Sequence, residues 1–314
     1  MAEARPPGGG SEHPPISVVV PTRGRSDLLP RAIGSILQQD YPGELEVIVV
    51  FDQGEPNLPD LVVPPSRELR AVGHDRTPGA AGARNAGAAL ARHPYLAFLD
   101  DDDEWHPDKL RRQMAALRAD PDAIGAVCGM VVRYGTRERE RLPDGPRISH
   151  RDMLRSRRIE TNFCTLLMRR DDFLDRVGPI DETIPASFGE DYDWMLRATA
   201  EGPLAAIQAP LITVHWHGGS WFQDRWQTMA AALTELLDRH PDFRREPKGR
   251  ARILGQIAFA RAAEGRSRLG RRVALQALRL NPLEMRAYLT FVVSMGLLSP
   301  ERVLDVAHRF GKGI

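Results

Sequence analysis

Apolar, largely β-branched positions run almost unbroken through residues 16–20 (ISVVV), 45–51 (LEVIVVF) and 95–99 (YLAFL). Runs this short and this continuous predict strands covered on both faces. Between the first two, Leu28, Leu29, Ala32, Ile33, Ile36 and Leu37 recur at helical spacing within Ser26–Gln39, with Ser26 as a suitable N-cap. The Ala-rich stretch Gly79–Ala91 predicts a second helix before the third strand, and Leu69–Val72 a weaker strand after Pro64. This β-α-β-(β)-α-β order predicts an α/β fold: a mostly parallel central sheet with helices on both faces.

Further along, Pro107–Ala119 reads as a helix with proline in its first turn. Residues 124–132, 161–169 and 205–217 read as strands, 137–146 as a charged loop, and 190–200 as a helix. From Trp226 the pattern is helical, over 226–238, 249–264, 267–279, 283–296 and 300–309. Within it, 258–287 resembles a single helical-hairpin repeat of the tetratricopeptide kind. The chain therefore divides into a disordered leader over 1–15, an α/β domain over 16–225 and a C-terminal helical region over 226–314.

With 314 residues, 42% of them hydrophobic and 27% charged, a core for one large domain plus an appendage is available. No stretch approaches the ~18 consecutive apolar residues of a membrane-spanning helix, and the leader has no apolar stretch of the secretory type. Cys128 and Cys164 form neither a disulfide framework nor a metal-type spacing, which points to a reducing, cytoplasmic setting. The net charge of +1 is uneven: residues 241–314 carry 15 Lys+Arg against 6 Asp+Glu, hence +9, and the remainder 28 against 36, hence −8. A basic end hints at an anionic partner or a membrane periphery. The simpler reading is a solvated helical face in an Arg-biased chain. No nucleic-acid partner is expected.

Ligands of such sheets bind beyond the carboxyl ends of the strands. That rule places Pro21–Arg25 (PTRGR), Asp52 and Asp100–Asp103 on one rim, where a nucleotide-type site is expected. Four adjacent carboxylates repel one another unless a cation or nearby donors compensate. Asp100 and Asp102, two apart at a strand end, can face the same side. Oxygen ligands of this kind suit Mg²⁺ or Mn²⁺ shared with substrate phosphates. The plainer alternative is an acidic loop favouring the N-terminus of the helix at Pro107.

Taken together, ISVVVPTRGR (Ile16–Arg25), VIVVFDQG (Val47–Gly54), GAAGARNAGAALA (Gly79–Ala91), FLDDDDEWHPDKL (Phe98–Leu110) and GEDYDW (Gly189–Trp194) resemble, in order and spacing, the family 2 glycosyltransferases with the GT-A fold. The resemblance covers about residues 15–225. It implies a donor half over 16–110 and an acceptor half over 111–225. Pro21, Thr22, Arg25, Asp52, Arg84, Asn85, Asp100 and Asp101 would bind the nucleotide sugar, Asp52 at the base. Asp102 would be the direct metal ligand, Asp100 would contact ribose or metal, and Asp101 would share either task. Asp191 would be the general base, with Glu190 a positioning acid or acceptor contact. His217 would contact metal or diphosphate, or be a structural loop residue, and Trp216, Trp221 and Trp226 would stack on a sugar or cover a core.

The implied reaction is metal-assisted, inverting transfer from a nucleotide-diphosphate sugar, UDP-linked before dTDP- or GDP-linked, to an acceptor hydroxyl. The cofactor would be Mn²⁺ or Mg²⁺. The acceptor stays open among a polysaccharide, a lipid-linked intermediate, a natural product and a peptide. Two other classes remain: a sugar-phosphate nucleotidyltransferase, for which PTRGR offers only Arg23 and Arg25 as a phosphate loop, and a non-catalytic nucleotide-sugar-binding module.

Overall fold

A computed structural model describes residues 12–24, 28–158, 160–216 and 225–309. In chain order its principal elements are β1 (Ile16–Thr22), α1 (Leu29–Leu37), β2 (Leu45–Phe51), β3 (Arg67–Gly73), α2 (Ala80–Leu90), β4 (Tyr95–Phe98), β5 (Glu104–Trp105), α3 (Lys109–Ala119), β6 (Gly125–Tyr134), β7 (Arg137–Arg141), β8 (Arg147–Ile148), α4 (His150–Arg155), β9 (Leu167–Arg169), α5 (Glu190–Glu201), β10 (Leu204–His215), α6 (Trp226–Arg239), α7 (Pro247–Ala263), α8 (Ser267–Leu280), α9 (Met285–Ser294) and α10 (Pro300–Arg309). Described residues within 1–150, 158–182 and 190–218 form one compact unit; those within 151–157, 183–189 and 219–314 form a second.

The first unit holds one sheet in the order β3-β2-β1-β4-β9-β6-β10-β5, with β7 beside β6 and β8 beside β10. β3, β2, β1 and β4 run parallel, as do β6 and β10, while the short strands β5, β7, β8 and β9 pair antiparallel. Strand order reverses at β1, since β2 and β3 extend to one side and β4 returns on the other. The crevice between β1 and β4 is therefore the switch point at which such sheets hold ligands.

Alternation along β1 explains why both sheet faces are covered. Ile16, Val18 and Val20 join the cluster containing Leu29, Ala32, Ile33 and Ile36 of α1. Val19 points the other way, toward α2, where a Cβ built on Gly87 would stand 2.4 Å from a Val19 methyl and 3.0 Å from one of Val50. Only glycine lets α2 approach this closely.

Two stretches differ from the sequence reading. The expected loop at 137–146 opens with β7, paired to β6 from Arg137 opposite Tyr134 to Arg141 opposite Met130. Its alternating Arg and Glu leave no apolar signal, as suits an exposed edge. The strand expected over 161–169 survives only as β9. Before it, Phe163–Thr165 turns as a 3₁₀ helix, because Asn162 and Thr165 bond reciprocally to each other's backbone N–H. Such local side-chain bonds compete with a sheet ladder. The N-cap position of α1 is Leu28 and not the expected Ser26, which lies outside the described residues.

In the second unit, α7 turns at Gly265 (φ 89°) into α8. Ala258, Ala274, Ala277 and Ala287 form a small-residue core with Leu254, Val273, Leu278 and Phe291 against it. Nine of the fifteen exposed large hydrophobics among the described residues lie between Leu269 and Leu298, so this unit presents an apolar surface beside its arginines.

Candidate active site

The loops after β1 and β4 meet across the switch point. Thr22 Oγ1 donates to Asp101 Oδ2 at 2.6 Å, and the same oxygen accepts from Gly24 N at 3.0 Å. Pro21 is buried in β1 opposite Val50. Asp52, at the end of β2, is buried, and its carboxylate is already engaged: Oδ2 accepts from Arg23 Nε at 2.8 Å, and Oδ1 accepts from Gly79 N at the start of α2 and lies 3.3 Å from His74 Nε2. Asp52 thus ties the β1 loop to the α2 N-terminus. Arg25 lies outside the described residues.

The aspartates alternate. Asp101 and Asp103 are buried, whereas Asp100 and Asp102 are half-buried; β4 has already ended at Phe98 and Asp101 and Asp102 lie in a turn, so the alternation follows the partners of each residue and not a strand pleat. Asp103 Oδ1 accepts from His215 N at 3.1 Å, and His215 Nε2 lies 2.6 Å from Glu104 Oε1, so the end of β10 braces the acidic loop. Burial, reinforced by the charges of Asp100 and Asp102, pushes the Asp103 carboxyl up to about 8.

Arg84, on α2, is buried beneath this loop. Its Nη2 donates to Asp100 Oδ1 at 2.5 Å and its Nη1 to Glu190 Oε1 at 3.2 Å, and the guanidinium lies 4.9 Å from the Phe163 ring centroid. Burial opposes its charge, but Asp100 and Glu190 more than offset that and hold its pKa above the ordinary value. Neighbouring Asn85 donates from Nδ2 to Ile180 O and Glu182 Oε1, each at 2.8 Å, and accepts from Ile180 N at 2.8 Å. It clasps the segment 180–182. Gly189, at φ 83°, precedes α5; Glu190, its first residue, is buried, and Asp191 is half-buried with Oδ1 accepting from Tyr192 N at 2.8 Å.

A buried polar layer supports the acidic loop. Lys109 Nζ donates to Gln113 Oε1 at 2.8 Å and sits 3.8 Å from the Trp105 ring centroid. Gln113 Nε2 donates to the carbonyls of Ala126 (2.8 Å) and Thr165 (2.7 Å), and Trp105 Nε1 to that of Cys164 (3.2 Å). These bonds fix the 3₁₀ turn, whose Cys164 Sγ accepts from Asp100 N at 3.4 Å. Neither this layer nor His215 is legible in the sequence: Lys109 stands in the aspartate-run motif with no task implied by the resemblance, and the resemblance points to His217, which lies outside the described residues. Of the three tryptophans considered for stacking, Trp216 is exposed, Trp226 is buried edge-on to Phe259 at 5.6 Å, and Trp221 lies outside the described residues.

Carboxylate oxygens of Asp100 and Asp103 and the Sγ of Cys164 lie within 4.8 Å of one another. Burial, then Asp100 and Asp103, push the Cys164 thiol well above its usual range, so it stays protonated and is a poor partner for a hard cation. The half-buried Asp100 and Asp102 supply hard oxygen donors, and Asp103, raised chiefly by burial and then by the charges of Asp100 and Asp102, adds a carboxyl beside Asp100. These residues fit a divalent cation.

Residues 17–177 match the model of the family described as Glycosyl transferase family 2. The chain is 30% identical over 206 residues to succinoglycan biosynthesis protein ExoO of Rhizobium meliloti, covering 62% of this chain and 58% of that one. It thus spans little more than half of that relative's length. Its fold is similar to S. aureus TarS 1-349 in complex with UDP-GlcNAc, with TM-score 0.57 and 18% identity over 95% of this chain and 92% of that chain. It is also similar to the mannosyltransferase PcManGT of Pyrobaculum calidifontis in complex with GDP-Man and Mn²⁺, with TM-score 0.51 and 18% identity over 93% and 83%. The α/β sheet is that of the GT-A fold, and with more than half of its length inside the family's pattern, this chain belongs to glycosyl transferase family 2.

Proposed function

We propose that the chain transfers a sugar from a nucleotide-diphosphate sugar, preferentially UDP-linked, to an acceptor hydroxyl with inversion at the anomeric carbon. The observation that carries this reading is the bridge from Asp100 through Arg84 to Glu190, which sets the acidic rim beside the start of α5. The donor half is 16–110 and the acceptor half 111–225, with 226–314 as a helical appendage.

In this reading the nucleotide lies over the carboxyl ends of β1, β2 and β4, with the Asp52 node near the base and Thr22–Asp101 shaping the floor. Asp100 and Asp102 hold the cation, Mn²⁺ or Mg²⁺, with His217 as a further candidate. When bound, the cation supplies charge neutralisation to the departing diphosphate. Asp191, half-buried at the helix start, takes the proton of the acceptor hydroxyl, which is otherwise a poor nucleophile. Glu190 is held by Arg84 and positions that end of α5. Arg84 and Asn85, assigned to the donor by resemblance, act here first through the carboxylates and backbone they hold.

No helix among the described residues is long and apolar enough to cross a membrane. The exposed apolar residues of α8 and α9, beside Arg268, Arg272 and Arg279, support peripheral attachment to an anionic membrane from the cytoplasm.

A panel of UDP-, dTDP- and GDP-sugars with Mn²⁺, read by thermal shift and by nucleotide release, tests the proposal. Stabilisation and release with one nucleotide class support it. Stabilisation without release from any donor, with or without candidate acceptors, makes the chain a binding module; no stabilisation by any of them removes the donor site.

A further inference from the structure

β6 has two edges. One pairs with β10 along its length; the other pairs with β9 only at Gly125 and Ala126, and with β7 from Met130 to Tyr134. β7 therefore lies on the side of β6 that faces β4 and the aspartates, in the upper part of the sheet that β9 does not reach. It flanks the switch-point rim.

Register sorts the side chains of this hairpin by face, because residues directly opposite one another project to the same side. Arg137, Arg139 and Arg141 stand opposite Tyr134, Val132 and Met130, while Glu138 and Glu140 stand opposite Arg133 and Val131. Arginines thus share the face of Tyr134, and the glutamates take the other, where Glu138 pairs with Arg133 at 2.7 Å. Trp216 extends the β6–β10 ladder, donating from N to Arg133 O at 2.8 Å, and its ring meets that of Tyr134 at 6.1 Å between centroids and 64°. Tyr134 is 53% and Trp216 51% exposed, whereas Trp105, Trp194 and Trp226 are all buried. An exposed aromatic pair and a line of guanidinium groups therefore share one face at the carboxyl rim, the face on which Met130 and Val132 pack with α1 and α3, opposite the one that carries Phe98, Phe163 and Trp194 of α5.

Building on the glycosyltransferase reading, we infer that the acceptor is an anionic glycan and that this face holds a stretch of it away from the hydroxyl that reacts beside α5. A pyranose ring lies against Tyr134 and Trp216, whose apolar faces suit its C–H surface. The carboxylate or phosphate carried by the same or the next sugar is bound by Arg137 and Arg139, whose planar forks match either group. The glutamates on the opposite face keep the edge strand charged without placing repulsion on the glycan's side.

Calorimetry tests this with tetragalacturonate as the carboxylate probe, N-acetylglucosamine 1-phosphate as the phosphate probe and maltotetraose as the neutral one. At least one anionic probe is expected to bind the full chain about tenfold or more tighter than maltotetraose, and the tighter anion identifies the group read. Trp216→Ala and the double variant R137E/R139E are each expected to weaken that probe about tenfold, Trp216→Phe to retain most of the binding, and all three to keep the wild-type melting temperature and UDP–Mn²⁺ binding. No anionic preference in the wild type, or variants that bind like the wild type, would overturn the inference. A wild-type chain that binds nucleotide but shows no anionic preference sinks this inference alone, whereas a wild-type chain that binds no UDP, dTDP or GDP sinks the donor reading beneath it.

Discussion

Asp100 and Glu190 share one buried guanidinium: Arg84 bonds the first at 2.5 Å and the second at 3.2 Å, joining the end of β4 to the start of α5. Arg84 and Glu190 are out of water and depend on each other, while Asp100 is half-buried and adds its charge from the rim.

Removing the cation should therefore destabilise the chain and disconnect the two acids. Arg84→Gln is expected to lose about 3–5 kcal/mol in urea unfolding, the range for breaking a buried pair. Arg84→Lys keeps the charge but not the fork, so it should recover stability more than turnover. A wild-type turnover number in Arg84→Lys would show that the bridge geometry is unimportant.

Asp191→Asn is expected to lower kcat by roughly 10²–10⁴ with donor affinity little changed, as for a group that acts only as the proton moves. Titration of the variant with donor nucleotide separates the cases: a collapse of binding would place Asp191 in the donor site.

Burial pushes the Lys109 ammonium down to about 8, well below its unfolded value near ~10.4. A lysine with a depressed folded pKa carries its full burial penalty below that value. Between pH 8 and 10 the folded chain sheds this proton first, so the Lys109 contribution to stability rises with pH, while the buried thiols of Cys128, raised to about 11, and Cys164 act in the opposite direction in both proteins compared. Between pH 7.5 and 9.5 the wild type should gain about 2 kcal/mol relative to Lys109→Met. Measurement stops below pH 10, because Tyr41, raised to about 12 by burial, then acts in the opposite direction. Parallel pH profiles for the two proteins would mean that Lys109 is neutral or solvated.

The basic, apolar surface of α8 and α9 should bind vesicles containing anionic lipid at low salt and release them as salt rises, since exposed charges are screened over about 8 Å at physiological ionic strength. Reversing Arg266, Arg268 and Arg272 should weaken sedimentation with such vesicles without lowering the melting temperature much. Salt-independent behaviour with no vesicle association leaves a scaffold instead.

Much of this was legible because buried parallel strands write continuous apolar runs: 16–20, 45–51 and 95–99 each mark a strand of the sheet, and their ends locate the rim. The rest was hidden for physical reasons. β7 reads as RERER, with no apolar face to signal pairing, and β5 is too short for any period. The four aspartates follow β4 in a turn, and the partners that separate their roles, Thr22, Arg84 and His215, come from distant elements. Arg84 looked like a phosphate donor because its type and motif fit; its engagement by Asp100 and Glu190 is a tertiary fact.

The most direct measurement is release of nucleoside diphosphate from the donor that the panel selects, for wild type and Asp102→Asn, in Mn²⁺ and in excess EDTA. Release by the wild type in Mn²⁺ is expected, with loss of it in EDTA, and loss in Asp102→Asn with the melting temperature preserved, since Asp102 is half-buried at the rim. Undiminished release by the variant, or by the wild type in EDTA, would contradict the metal-assisted reading.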